Sequence, residues 1–179
     1  MTPHLAHIPT LETERLHFRA PEAADFEAFK AFSLSDRAAF VGGGPDKDAG
    51  YAWRMLSTIT GHWHLRGFGI FVVSRKDTGR VVGSMGPWHP EPVPHPELSW
   101  TVWDPDAEGR GFAFEAVTEI RRHCYADLGW TTAVSHIDAG NTRSAALATR
   151  LGCWIDEDTK GPHPDDIVYR HPPASEVLA

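Results

Sequence analysis

Cysteine is scarce in this chain: only Cys124 and Cys153 occur among 179 residues, and no CxxC pair is present. The scarcity excludes a small secreted fold held together by disulfides and predicts two reduced thiols with a structural role. No apolar run approaches the ~18 residues needed to span a membrane. The first residues also lack the basic start and apolar core of a signal peptide. We therefore expect a cytoplasmic protein without a membrane partner.

An excess of basic charge is also lacking, because the formal net charge is -7 with histidine neutral. A nucleic-acid-binding surface needs clustered lysine and arginine, so a nucleic-acid partner is not expected. Histidine is common, but His62 and His64 flank Trp63 without a third ligand at suitable spacing, and no metal site is expected. No Gly-Lys-Ser or Gly-Lys-Thr sequence is present, so ATP hydrolysis on a loop of that type is not supported.

The composition is that of a globular protein, with 41% hydrophobic residues and no internal repeat or linker, and predicts one domain over residues 1–179. The spacing of apolar residues and the placement of glycine and proline indicate secondary structure. Predicted strands lie near 15–19, 68–75, 80–88, 98–103, 131–137, 154–156 and 167–170. Predicted helices follow Pro21, cover 49–60, run from the glycines near 111 to Gly129, and run from Asn141 to Leu151. This order predicts an α/β (α+β) fold, a mixed sheet with helices packed on it.

The sequence GRGFAFEA, from Gly109 to Ala116, is the most informative local pattern. It follows a predicted strand and opens a predicted helix, so several backbone N–H groups are left without intrahelical partners. These groups and the positive end of the helix dipole predict a phosphate site, and hence a nucleotide-type ligand. A dinucleotide-binding G-x-G-x-x-G pattern fits only superficially, because Phe114 stands at its last position.

Four segments in this order resemble the GNAT acetyltransferase family. They are LETERLHFRAPEAADFEAF (11–29), ELSWTVW followed by GRGFAFEA (97–116), NTRSAALATRLGC (141–153) and DIVYRH (166–171). The resemblance is greatest to the branch that contains the ribosomal-protein N-terminal acetyltransferases. It implies a mixed, mostly antiparallel central sheet with helices on both faces. It also implies that a bulge splays the fourth strand from the fifth.

The resemblance further implies acetyl-CoA as co-substrate and no metal ion. The family holds the cofactor's pyrophosphate on the amides of its glycine turn, which here are those of Gly109, Arg110, Gly111, Phe112 and Ala113. The pantetheine arm is expected beside the backbone of Val102 and Trp103 and the amide of Asn141, and the adenosine phosphate near Arg143. Glu108 departs from the Gln or Arg usual at the first position of the turn, and Arg110 is expected to offset its charge.

Glu97 is the candidate general base, because it lies where histone-type members of the family carry a catalytic Glu. His95, His136 and Asp104 are weaker alternatives. Ser144 is the candidate acid or thiol-positioning group, since no Tyr occurs between residues 141 and 152. Ordinary structural roles remain open for each of these side chains.

The implied activity is transfer of an acetyl group to a primary amine, either a protein or peptide N-terminus or a small molecule. A non-catalytic acyl-CoA-binding sensor or interaction module is the alternative. The acceptor pocket is expected around Phe40, the glycines at 42–44, Trp63, Trp88 and the proline-rich stretch 87–96. The identity of the amine and the formation of a homodimer stay open.

Overall fold

A computed structural model describes residues 8–179 as eight strands and five helices. The strands are β1 (Leu11–Glu12), β2 (Leu16–Arg19), β3 (Phe71–Arg75), β4 (Val81–Trp88), β5 (Glu97–Val102), β6 (Val134–Asp138), β7 (Trp154–Ile155) and β8 (Asp166–Arg170). The helices are α1 (Phe26–Ser33), α2 (Ala49–Arg66), α3 (Phe112–Ala126), α4 (Thr142–Arg150) and α5 (Ala174–Val177). Within residues 8–179 no helix is long and apolar enough to cross a membrane. Residues 1–7 of the expected domain, which begin the segment that lacks the features of a signal peptide, lie outside the described residues.

All eight strands form one sheet in the order β1-β2-β3-β4-β5-β6-β8-β7. Every neighbouring pair is antiparallel except β5 and β6, which are parallel. The mixed, mostly antiparallel sheet expected from the sequence is confirmed.

Helices cover both faces of the sheet, as the sequence analysis predicted. On one face α3 packs its buried residues Ala116, Val117 and Ile120 in a cluster with side chains such as Phe18 and Leu98. On the other face α1 and α2 share a second apolar cluster that includes Trp103. Burial of these side chains is the main stabilisation of the two layers, because each strand alternates its side chains between them.

The sheet is split between β5 and β6. Their only register pair within the described range is Glu97 with Val134, and the two strands diverge beyond it. The splay of the fourth and fifth strands expected from the resemblance corresponds to this split. The expected bulge is not within β5, because the β4–β5 register runs without a shift from Gly83–Val102 to Trp88–Glu97.

A buried polar connection holds the closed end of the split. Ser135 Oγ donates to the carbonyl of Leu98 at 2.6 Å and lies 3.0 Å from His171 Nε2. Since the hydroxyl proton is committed to Leu98, Nε2 of His171 must carry a proton and donate to Ser135. His171 is therefore held as the neutral tautomer with its proton on Nε2.

Several boundaries differ from the sequence predictions. Helix α2 continues six residues past 60 because Gly61 is tolerated inside it, and it ends at Gly67, whose φ is 76°. The two-residue strand β1 was not predicted, and neither was the 3-10 segment Asp36–Val41. Helix α4, in contrast, begins after the predicted cap Asn141, whose side chain accepts from the Ser144 amide.

His171 should make stability depend on pH. Burial, together with nearby Arg121, lowers the pKa of His171 to about 3. The unfolded chain, with a pKa near 6.5, then binds a proton that the folded protein excludes, so stability falls as pH drops below about 6.5. The expected loss relative to His171→Gln is ~1.4 kcal/mol per pH unit, reaching about 2 kcal/mol at pH 5.

Urea unfolding of both proteins from pH 7 to pH 5 measures this difference. The diagnostic quantity is the difference between the two proteins in the slope of unfolding free energy against pH. Parallel curves for the two proteins would contradict a neutral, buried His171.

Candidate functional site

A cavity of about 570 Å³ opens where β5 and β6 separate. Its walls come from the segment 36–41, the end of β5, the glycine turn before α3, and the start of α4. It brings together many of the residues predicted from the sequence: Val102, Gly109, Gly111, Phe112, Ala113, Asn141, Arg143 and Ser144. Glu97, Trp103 and the side chain of Arg110 lie elsewhere.

The glycine turn presents a row of backbone amides. Gly109 and Gly111 have φ values of 71° and 78°, which glycine adopts without steric cost. The first amide after Glu108 that has a hydrogen-bond acceptor in the described chain is that of Glu115, which donates to the Gly111 carbonyl at 3.1 Å. In the described chain no acceptor pairs with the amides from Gly109 to Phe114. These N–H groups and the positive end of the α3 dipole suit an anionic ligand.

Glu108, at the head of this turn, is held by two arginines. Arg37 Nε and Nη2 donate to its Oε1 at 2.9 and 2.5 Å, and Arg143 Nη2 donates to its Oε2. Partial burial raises the pKa of Glu108, but the hydrogen bonds from Arg143 and Arg37 outweigh burial and hold the pKa below its ordinary value. The assignment of this compensation to Arg110 was wrong, because its side chain lines a different cavity beside Arg15.

Arg37 also connects the segment 36–41, which forms the roof of the cavity, to the end of β5. Its Nη1 donates to the carbonyl of Trp103 and its Nη2 to that of Val102, each at 2.8 Å. Sequence analysis missed Arg37 because it lies 71 residues before Glu108 in an unpredicted 3-10 segment, and no local pattern marks it.

Phe40 extends the same roof toward the other wall. Its ring lies so close to Gly140, in the turn before α4, that a Cβ built on Gly140 would be 3.0 Å from Phe40 Cε1. The lack of a side chain at Gly140 thus makes room for the ring. The segment 36–41 therefore reaches both sides of the split in the sheet.

Val102 and Trp103 differ in what their backbones can offer a ligand. The Trp103 amide donates to Val82 on β4 at 2.9 Å, and its buried ring packs against Phe29. Because amides alternate along a strand, that of Val102 points away from β4 into the gap. The donor expected at this position is therefore available from Val102 and not from Trp103.

Asn141 and Ser144 lie one turn apart at the start of α4. Asn141 Oδ1 caps the helix by accepting from the Ser144 amide at 3.2 Å. Ser144 Oγ accepts from Trp100 Nε1 at 3.2 Å, which leaves its own proton available to a ligand. The Trp100 indole thus spans from β5 to α4 across the open part of the split.

Glu97 and His136 form a pair beside the site. Glu97 Oε2 and His136 Nδ1 are 3.0 Å apart, and the two side chains are only 15% and 6% exposed. By strand alternation Glu97 lies on the same face of β5 as Ser99 and Thr101. Two residues weighed as separate bases in the sequence analysis are therefore partners, on the face covered by α1 and α2.

A second cavity of about 190 Å³ lies on that face, between α1, α2 and the strands. Phe32, Val41 and Thr101 line both cavities, so the two share a wall at the end of β5. Trp88, expected near the acceptor, lines this second cavity. Trp63, expected there as well, is instead buried in the core, where its Nε1 donates to the Ile70 carbonyl at 2.9 Å.

Comparison with known proteins places this arrangement in a family. Residues 15–153 match the acetyltransferase (GNAT) domain family. A search of curated proteins gave no match. Among solved structures, an acetyltransferase from Agrobacterium tumefaciens is 34% identical, with 96% of this chain and 99% of that chain covered and a TM-score of 0.86.

More distant structures share the fold. A spermidine N-acetyltransferase from Vibrio cholerae, solved with CoA and spermine, is 16% identical at a TM-score of 0.70, covering 93% of this chain and 100% of its own. A ribosomal-protein-S5-alanine acetyltransferase from Vibrio fischeri is 17% identical at a TM-score of 0.66, covering 91% and 96%. The family match and the 34% identical structure show that this chain belongs to the GNAT acetyltransferases, enzymes that transfer an acetyl group from acetyl-CoA to amines.

Proposed function

We propose that this enzyme transfers the acetyl group of acetyl-CoA to a primary amine, which attacks the thioester directly. The observation that carries the proposal is the cavity at the β5–β6 split, with the unpaired amides of the glycine turn at one end. It suits a long ligand that is anionic at one end and amide-like along its length. A cavity of about 570 Å³ is also within the range of cofactor sites.

The cofactor contacts follow from the available donors. The amides of Gly109, Arg110, Gly111, Phe112 and Ala113 bind the pyrophosphate. The Val102 amide, which points into the gap, pairs with a carbonyl of the arm or of the thioester. Asn141 has a side-chain NH₂ that donates to no described residue, and it is a second donor for the arm. Arg143 reaches the adenosine phosphate from the cavity rim.

The acceptor approaches from the face of the sheet that carries Glu97 and His136. Thr101 lines both cavities, so an amine beside it is next to the position proposed for the thioester. Glu97, paired with His136, takes a proton from the amine through an intervening water or hydroxyl group. His136 keeps the carboxylate oriented, because its Nδ1 is within hydrogen-bond distance of Oε2.

Ser144 assists departure of the thiol. Its hydroxyl accepts from Trp100, so the oxygen is fixed while its proton can be donated to sulfur. A thiol of pKa about 8.5 is a good leaving group, so this assistance is worth less than the activation of the amine.

The finer placement of the enzyme is also a proposal. The N-x-x-S start of α4 and the segment 11–29 support the branch of ribosomal-protein N-terminal acetyltransferases.

Cys124 and Cys153 are both free thiols, and burial raises the pKa of Cys153 to about 12, which makes it unreactive. Unreactive free thiols support a reducing, cytoplasmic location.

Glu97→Gln should lower kcat/KM for a peptide α-amine about a hundredfold at pH 7, because general-base catalysis is lost. The deficit should shrink toward pH 9, where an amine of pKa about 8 is neutral without help. The assay is acceptor-dependent release of CoA from acetyl-CoA between pH 6 and 9.

Glu157→Gln, on an exposed residue, is the control and should match the unaltered enzyme. A deficit of constant size across this pH range would contradict the assignment of Glu97 as base. Tight CoA binding without turnover, for every amine tried, would support the acyl-CoA-binding module instead.

Arg143→Ala should raise the Kd for CoA about tenfold, the value of one charge-assisted hydrogen bond. The Kd for 3′-dephospho-CoA should rise less, because this compound loses only the compensation of the Glu108 charge and not a contact to the adenosine phosphate. Titration calorimetry with both compounds measures this, and Arg122→Ala, on an exposed face of α3, is the matched control. Equal weakening for both compounds would contradict the assignment.

A further inference from the structure

The cavity of about 190 Å³ on the α1–α2 face has a wall that is neutral throughout. Its lining contains no Asp, Glu, Lys, Arg or His and is mostly aromatic and aliphatic: Phe29, Phe32, Tyr51, Met55, Ile59 and Trp88 among others. An ammonium group placed in such a wall would lose its hydration without gaining a counter-charge, which is strongly unfavourable. The cavity therefore selects against an acceptor with a second cationic group.

The polar side chains that line the cavity are all hydroxyl-bearing. Ser84, Ser99 and Thr101 contribute the hydroxyls of the sheet wall, and Ser33 and Tyr51 those of the helix wall. Thr101 Oγ1 is 2.9 Å from Ser84 Oγ and accepts from Trp103 Nε1 at 3.0 Å, so these two hydroxyls are largely committed. Ser99 Oγ has no hydrogen-bond partner among residues 8–179.

Ser99 also lies between the cofactor side of the cavity and the proposed general base, Glu97. On β5 it is two residues from Thr101, which borders the cofactor cavity, and two residues from Glu97. Residues two apart on a strand share a face and are separated by ~6.6 Å along it. A primary amine bonded to Ser99 would thus lie between the cofactor side and the carboxylate of the Glu97–His136 pair.

We propose that the acceptor is a primary amine with one neutral apolar or aromatic group, which fills this cavity while Ser99 orients the amine. The proposal rests on the proposed function and specifies its substrate class. A volume of about 190 Å³ is below that of drug-sized sites and suits one group the size of an amino-acid side chain. The apolar wall also favours the neutral form of the amine, which is the form that attacks the thioester.

Such a group occurs in free arylalkylamines and in peptides that begin with a large apolar residue. The experiment compares three acceptors: 2-phenylethylamine, a tripeptide beginning with Phe, and spermidine. The acceptor that fits the cavity should have a kcat/KM at least about tenfold above that of spermidine, the discrimination of a hydrophobic site. The ratio of kcat/KM for 2-phenylethylamine to kcat/KM for the tripeptide shows whether the acceptor is a free amine or a peptide.

Two variants test the cavity itself. Ser99→Ala should raise KM for the preferred acceptor about fivefold, the value of one neutral hydrogen bond, with the Kd for CoA unchanged. Met55→Trp fills the cavity from α2 and should raise that KM at least about tenfold. Ser57→Ala, on an exposed position of the same helix, should change neither constant.

The outcomes separate the two proposals. Preferred acetylation of spermidine would overturn the substrate class and leave the acetyltransferase function standing. If none of the acceptors increases the release of CoA, the proposed function is overturned, and a binding measurement then decides the substrate class. Saturable quenching of tryptophan fluorescence by 2-phenylethylamine or by the Phe tripeptide, lost in Met55→Trp, would support the class, and its absence for both compounds in the unaltered CoA-bound protein would overturn it.

Discussion

The β5–β6 split depends on a buried polar connection at its closed end. Ser135 bonds the Leu98 carbonyl and His171, and this fixes the two strands together near Glu97 and Val134. Beyond that point the strands part, and the backbone of β5 is left with polar groups that no neighbouring strand satisfies. Such groups are costly when buried, so they are best explained as partners for a ligand. The indole of Trp100 spans the opening and bonds Ser144.

A second constraint is the charge of Glu108. A carboxylate at the head of the turn proposed to bind phosphate would repel that ligand, and Arg37 and Arg143 offset its charge from two different segments. The same Arg37 guanidinium satisfies the carbonyls of Val102 and Trp103. One side chain from the cavity roof therefore keeps the end of β5 and the glycine turn in a fixed relation.

The two faces of β5 border different cavities. The face toward α3 and α4 carries Trp100 and borders the larger cavity, whereas the opposite face carries Glu97 and Ser99, and Ser99 lines the smaller cavity. In the proposed function, alternation of side chains along this strand places cofactor and acceptor on opposite faces of the sheet. In that proposal the strand separates the two substrates.

The sequence alone determined the features that depend on neighbouring residues. The glycine turn before α3, the Asn141 cap of α4 and the order of strands and helices all follow from local chemistry, and the structure has them. Tertiary structure decided what depends on distant residues: the pairing of Glu97 with His136, the reach of Arg37 to Glu108, and the loss of the Trp103 amide to β4. These contacts join segments far apart in the chain, and their partners are set by strand register and packing, which no local pattern encodes.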